Sequence, residues 1–360
     1  MTRRLWRAPF LALALLSMVW GAWMGLLRLG WSLPLPWPDQ LILHGPLMVG
    51  GFLGTLIGLE RAVGLAKPWA YSAPLLTASG ALLLVFGPAG SLGPAFMTVG
   101  SAVVVAVFGV VLWRETSLFA LTMGLGAVAW FVGNTQWLAG AAIFRVVFWW
   151  VAFLVLTIAG ERLELNRLLR PSRATRVAFV AAVGILVTGV AVTGRWPGLG
   201  VRMTGVGLVA TSIWLAKFDI ARRTVRQPGV TRFIAVCLLS GYVWLGVGGL
   251  IAVATGASAP GAMYDALLHA IFLGFVIAMI FGHAPIVFPA ILGKALPFRA
   301  TFYVHLVMLH ASVALRLTGD AAEVLGRYRA WGGLLNAIAL LIFIVNSMWS
   351  IASGRQDVPR

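Results

Sequence analysis

Long apolar runs, broken by short stretches of charge, glycine or proline, recur from one end of the chain to the other. A bilayer core about 30 Å thick is crossed by roughly 20 apolar residues of helix, each rising about 1.5 Å. The punctuation predicts twelve such spans, near residues 8–29, 40–60, 70–88, 92–113, 118–138, 141–159, 177–193, 199–216, 233–254, 263–284, 300–317 and 330–352. The pattern therefore predicts an all-α, polytopic membrane helical bundle as a single integral membrane domain over residues 1–360.

Composition agrees: 61% of the 360 residues are hydrophobic and 10% are charged, against roughly 25% charged in a soluble domain. The basic opening, MTRRLWR, resembles a signal peptide, but its apolar run is too long and no small-residue cleavage site follows, so it is read as a retained first span. The formal charge of +17 does not point to nucleic acid, because the basic residues sit in short links between apolar runs. With the N-terminus inside, Arg28, Arg145, Arg195, Arg202, Arg316, Arg327 and Arg329 fall on the outer side and the other 20 of the 27 basic residues on the inner side. That bias fits the positive-inside rule with both termini in the cytoplasm, and the expected location is the cytoplasmic membrane of a prokaryote. The basic link at 161–176 divides the chain into possible halves, 1–160 and 177–352, with no convincing repeat between them. Glycines such as those in 50–58 and 205–210 suit close helix packing. A single cysteine, Cys237, excludes an internal disulfide framework and reads as apolar filler.

The chemistry lies in the five histidines, His44, His269, His283, His305 and His310, all within or at the ends of predicted spans. Ionisable groups in a membrane are costly and usually pair, relay protons or bind a ligand, and imidazole is a common metal and haem ligand. Counting along the spans puts His44, His269 and His310 about 6, 9 and 10 Å from the outer surface, so they can share a layer. His269 and His283 are 14 residues apart, within roughly 40° on an ideal α-helix and about 21 Å along it. The expected arrangement is an outer metal site from His44, His269 and His310, and an inner one from His283 with His305. Asp265, one turn before His269, either accepts its Nδ1 proton or caps the span.

Arg145 and Arg202 either clamp haem propionates or reach for lipid headgroups. Pro285 and Pro289 are expected to end or kink span 10. Glu60 and Arg61 read as a boundary pair, and Asn134 and Gln136 as cavity residues or interhelical bonders.

The stretch LHAIFLGFVIAMIFGHAPIVFPAILGKALPF, residues 268–298, resembles the NnrS family of membrane haem and copper proteins linked to nitric oxide metabolism. The likeness is carried by His269 with Ala270, Gly274 and Met279, by Gly282 with His283, by the twelve-span plan and by a histidine near the start of span 2. The family's His-x-His-Glu cluster in span 2 is replaced here by LHGP around His44. The resemblance implies His44, His269 and His283 as haem or copper ligands. The expected function is a haem b protein, with copper as a second candidate cofactor, handling electrons or a diatomic gas such as nitric oxide in company with a redox partner. Two other classes stay open: a twelve-span secondary transporter with a histidine path, and an assembly or sensor subunit whose histidines are structural.

Overall fold

The computed structural model describes residues 2–35, 38–87 and 90–353, and helix is the only regular structure among them. Twelve helices are long and apolar enough to cross a membrane: α1 (Leu5–Arg28), α2 (Gln40–Leu65), α3 (Pro68–Phe86), α4 (Leu92–Arg114), α5 (Leu118–Leu138), α6 (Ile143–Asn166), α7 (Arg173–Val192), α8 (Pro197–Phe218), α9 (Gly229–Thr255), α10 (Ala262–Leu292), α11 (Phe302–Ala321) and α12 (Gly326–Ser353). The chain is an all-α integral membrane protein whose apolar helices contact lipid, as the hydropathy pattern predicts.

The chain forms two compact units, Met1–Phe153 with Val287–Lys294, and Leu154–Ile286 with Ala295–Arg360. The boundary thus falls inside α6 and α10, not in the basic link. In the first unit α2 lies between α1 and α3. A Cβ on Gly51 would come within 3.0 Å of both Ser17 and Ala81, so glycine is what lets these backbones approach. The rings of Trp130 and Phe153 stack 4.6 Å apart across α5 and the start of α6. In the second unit the same device recurs: a Cβ on Gly207 of α8 would reach 2.5 Å from Leu186 of α7, and one on Gly249 of α9 would sit 2.9 Å from the Gly205 carbonyl of α8.

Two spans depart from α geometry. Leu47–Gly54 in α2 and Ala270–Ile277 in α10 are π-helical over 8 residues each. Their i→i+5 bonds give a wider turn, and such segments often mark functional sites. The second lies between His269 and His283, so each of its residues turns less than in an α-helix and the angle expected from ideal α geometry does not hold.

Two boundaries also move. Span 10 continues as helix through Pro285 and Pro289 to Leu292, where an end was expected. Helices in a membrane tolerate proline when surrounding groups satisfy the freed carbonyls. Likewise α6 runs on to Asn166, through Glu161 and Arg162, which the pattern assigns to a link. Arg162 is buried, and its charge is balanced by Asp219, whose Oδ2 lies 2.8 Å from the Arg162 Nε.

Candidate functional site

The five histidines divide by the state of their rings. Nδ1 of His44 is 2.7 Å from the Gly21 carbonyl of α1, a contact within the first unit. A Cβ on Gly25 would lie 3.0 Å from the His44 ring, so glycines on α1 provide both the acceptor and the room for the imidazole. In the second unit, Nδ1 of His269 is 2.8 Å from the Asp265 carbonyl, and Nδ1 of His283 is 2.7 Å from the Met279 carbonyl. A carbonyl only accepts, so in all three rings Nδ1 carries the proton and the lone pair belongs to Nε2.

His310 and His305 have the opposite tautomer. Trp244 Nε1 donates to His310 Nδ1 at 2.9 Å, and His310 Nε2 donates to Ser240 Oγ at 2.8 Å. Both nitrogens are engaged on α9, so His310, expected in the outer metal set, has no lone pair to offer in this arrangement. The Asn346 amide donates to His305 Nδ1 at 3.3 Å, which puts the proton on Nε2. That Nε2 is buried without a hydrogen-bond partner among the described residues, in a cage of aromatic rings whose nearest member, Phe281, is 4.6 Å away. The polar neighbour of His283 is Glu161 of α6, 4.0 Å away, and not His305, its expected inner partner.

His269 leads into an ionic cluster. Asp265 Oδ1 lies 3.3 Å from its Nδ1, so the reading of Asp265 as the histidine's orienting group has a direct contact behind it. The Asp265 Oδ2 accepts from Arg316 Nε at 3.0 Å and Nη2 at 2.7 Å, with Arg329 Nε 3.8 Å away. Arg329 Nε is also 3.3 Å from Asp320 Oδ1, and neither Asp320 oxygen makes a hydrogen bond among the described residues. Arg316 and Arg329 were counted from sequence as outer-surface charges, and Asp320 was not singled out. Asp265 was paired with His269 from their spacing of four on one helix; Arg316 and Asp320 are also four apart, on α11.

The two propionate candidates have other roles here. Arg202 donates to the carbonyls of Val253 and Ala254, satisfying the last turn of α9, where a cation is favourable. Arg145 is exposed at the start of α6 and lies 5.8 Å over the Phe144 ring. Asn134 is an interhelical bonder: its Oδ1 accepts from Trp150 Nε1 at 3.0 Å. Glu60 and Arg61 form a 2.9 Å ion pair.

Among the described residues, no group of three or more His, Cys, Asp or Glu side chains is placed to hold a metal ion. A family model for a domain of unknown function, DUF8744, matches residues 7–352. The chain belongs to this family. The match runs from α1 to the end of α12, so the whole set of spans, with every candidate residue above, is the family's unit. No curated protein matches the chain.

Proposed function

We propose that this member of the DUF8744 family is a haem b protein of a prokaryotic cytoplasmic membrane that handles electrons or a diatomic gas, nitric oxide foremost, and exchanges electrons with a redox partner. The observation that carries the reading is the tautomer split. His44, His269 and His283 each have Nδ1 tied to a backbone carbonyl, which orients the ring and puts its lone pair on Nε2, the nitrogen that would coordinate. The same three histidines carry the likeness to the NnrS family. His305 and His310, outside that likeness, carry their protons on Nε2.

The donor set suits haem better than copper. Haem iron needs only one or two protein ligands, whereas the described residues offer no cluster of three donors. His269 and His283 are the leading residues that would hold it, and bound haem would supply one-electron and diatomic-gas chemistry. Asp265 would hold the His269 ring, and Glu161 Oε2 lies 4.0 Å from His283 Nε2. The excess of basic residues on one side supports a cytoplasmic location for both termini.

The test is a reduced-minus-oxidised spectrum of the protein purified in detergent. Haem b bands that fall in His269→Ala or His283→Ala, with retention on gel filtration unchanged, support the ligands. A preparation with neither haem absorbance nor stoichiometric metal overturns the reading. A secondary transporter is the second reading, favoured by the buried charges Arg316 and Asp320 within α11, since intramembrane charges often line substrate or proton paths. Substrate-dependent flux in vesicles lacking any cofactor would put it first.

A further inference from the structure

The second unit contains a cavity of about 450 Å³ that the histidines do not use. It lies where the end of α6 and the start of α7 meet the end of α8 and the link to α9. Arg170, Lys217, Arg222, Arg223 and Arg226 line it. Its floor is rigid. Asp219 accepts from Arg162 Nε at 2.8 Å and Nη2 at 3.3 Å, from Tyr242 OH at 2.9 Å and from the Ala221 N–H at 2.6 Å. The one carboxylate facing the cavity is therefore already saturated with donors.

Asn166 also lines the cavity. Its Oδ1 accepts from the Ile220 N–H at 3.0 Å, which fixes the amide's orientation. Its Nδ2 is buried and makes no hydrogen bond among the described residues, and the residue as a whole is only 2% exposed. A buried donor without an acceptor is unfavourable, and native structures rarely retain one without a reason. The positive-inside rule explains a number of cations on one side of a membrane. It calls for neither a cavity nor an unmet donor at its wall.

We infer that this cavity binds a phosphate group, with the arginines and Lys217 that line it as donors and Asn166 Nδ2 gaining the acceptor it lacks. A phosphate offers several oxygens to forked guanidinium donors, which suits a wide basic cavity better than a monatomic anion would. The cavity's place at the ends of spans leaves two sources for the group: the headgroup of an anionic lipid, or a free phosphorylated solute.

Titration calorimetry on the full chain, delipidated in a phosphate-free maltoside detergent, tests this with two probes. Inorganic pyrophosphate represents the free ligand and dioctanoyl phosphatidylglycerol the headgroup. Saturable binding of either is expected, and the tighter probe identifies the source. Asn166→Asp, which keeps the acceptor for Ile220 but replaces the donor, should weaken it at least about tenfold. The triple change Arg170→Gln, Arg223→Gln and Arg226→Gln should do the same, whereas Arg114→Gln in the other unit should leave it within about twofold. Absence of saturable binding by both probes overturns the inference, as does binding that both changes leave within about twofold. The triple change alters only exposed side chains, so it decides the matter alone if Asn166→Asp fails to fold.

Discussion

Two carboxylates of the second unit, Asp219 and Asp265, each pair with an arginine from another helix, yet they are finished differently. Asp219 divides four donors between its two oxygens and closes the end of α6 onto the start of the α8–α9 link. Asp265 takes both Arg316 bonds on a single oxygen, leaving the other beside His269. Next to it, Asp320 is buried with neither oxygen hydrogen-bonded among the described residues. A saturated buried network fixes structure, whereas an unpaired buried polar group in a partly satisfied one is costly. The difference marks Asp219 as a lock, and under the proposed function the Asp265 cluster is the region beside the haem.

The largest effect expected is therefore on stability at the lock. Asp219→Ala strands the buried Arg162 guanidinium, a loss of about 3–5 kcal/mol, and should give the greatest fall in apparent Tm measured by thermal unfolding in detergent. A Tm close to wild type would mean that Arg162 finds another partner or water, and the contrast with Asp265 would fail.

Asp265→Asn should act mainly on the proposed haem. Asparagine keeps the backbone carbonyl that takes the His269 Nδ1 proton but loses the carboxylate charge 3.3 Å from that nitrogen. Since losing an orienting partner outright costs about 10–100-fold in metal affinity, the haem proposed at His269 should bind about tenfold more weakly, at the lower end of that range, while the helices stay assembled. The stability loss should be smaller than at Asp219, about 1–3 kcal/mol, because Asp320 remains close to the same arginines. Haem titration and thermal unfolding on one preparation separate the two effects. A variant that loses stability but keeps full haem would make Asp265 a structural residue like Asp219.

Between these and the smallest effects stands Tyr242→Phe. It removes one of the donors to Asp219 and leaves three, so about 1 kcal/mol is expected. A loss equal to that of Asp219→Ala would show that the hydroxyl, and not the guanidinium, holds the lock closed.

The contrast also shows what the amino-acid pattern reveals in a membrane protein. Span existence was legible because bilayer thickness imposes a length that hydropathy tracks directly, and the twelve expected spans coincide with the twelve helices. Ends were less so. Arg162 looked like a link residue because its partner, Asp219, is 57 positions away, and no local rule signals that pairing. The π-helical turns beginning at Leu47 and Ala270 leave no clear mark in hydropathy, yet they alter which side of α10 a histidine occupies. The contact between His269 and Asp265 was legible from a spacing of four. Ring state was not, since the His310 tautomer depends on Trp244 and Ser240 of another helix.

The smallest effect should come from Asp320→Asn, although its carboxylate is as inaccessible as that of Asp219. Burial alone would rank the two alike; the partners do not. Asp320 loses no hydrogen bond on substitution, and its ion pair is with Arg329, whose side chain is 39% exposed and retains Asp265 at 3.8 Å. A partly exposed pair contributes about 0–1 kcal/mol, and the neutral amide is easier to bury than an under-bonded carboxylate. The apparent Tm should therefore stay near wild type or rise slightly. A fall comparable to that of Asp219→Ala would show that Asp320 is the counter-charge holding Arg316 and Arg329 in place, making the Asp265 cluster a second lock.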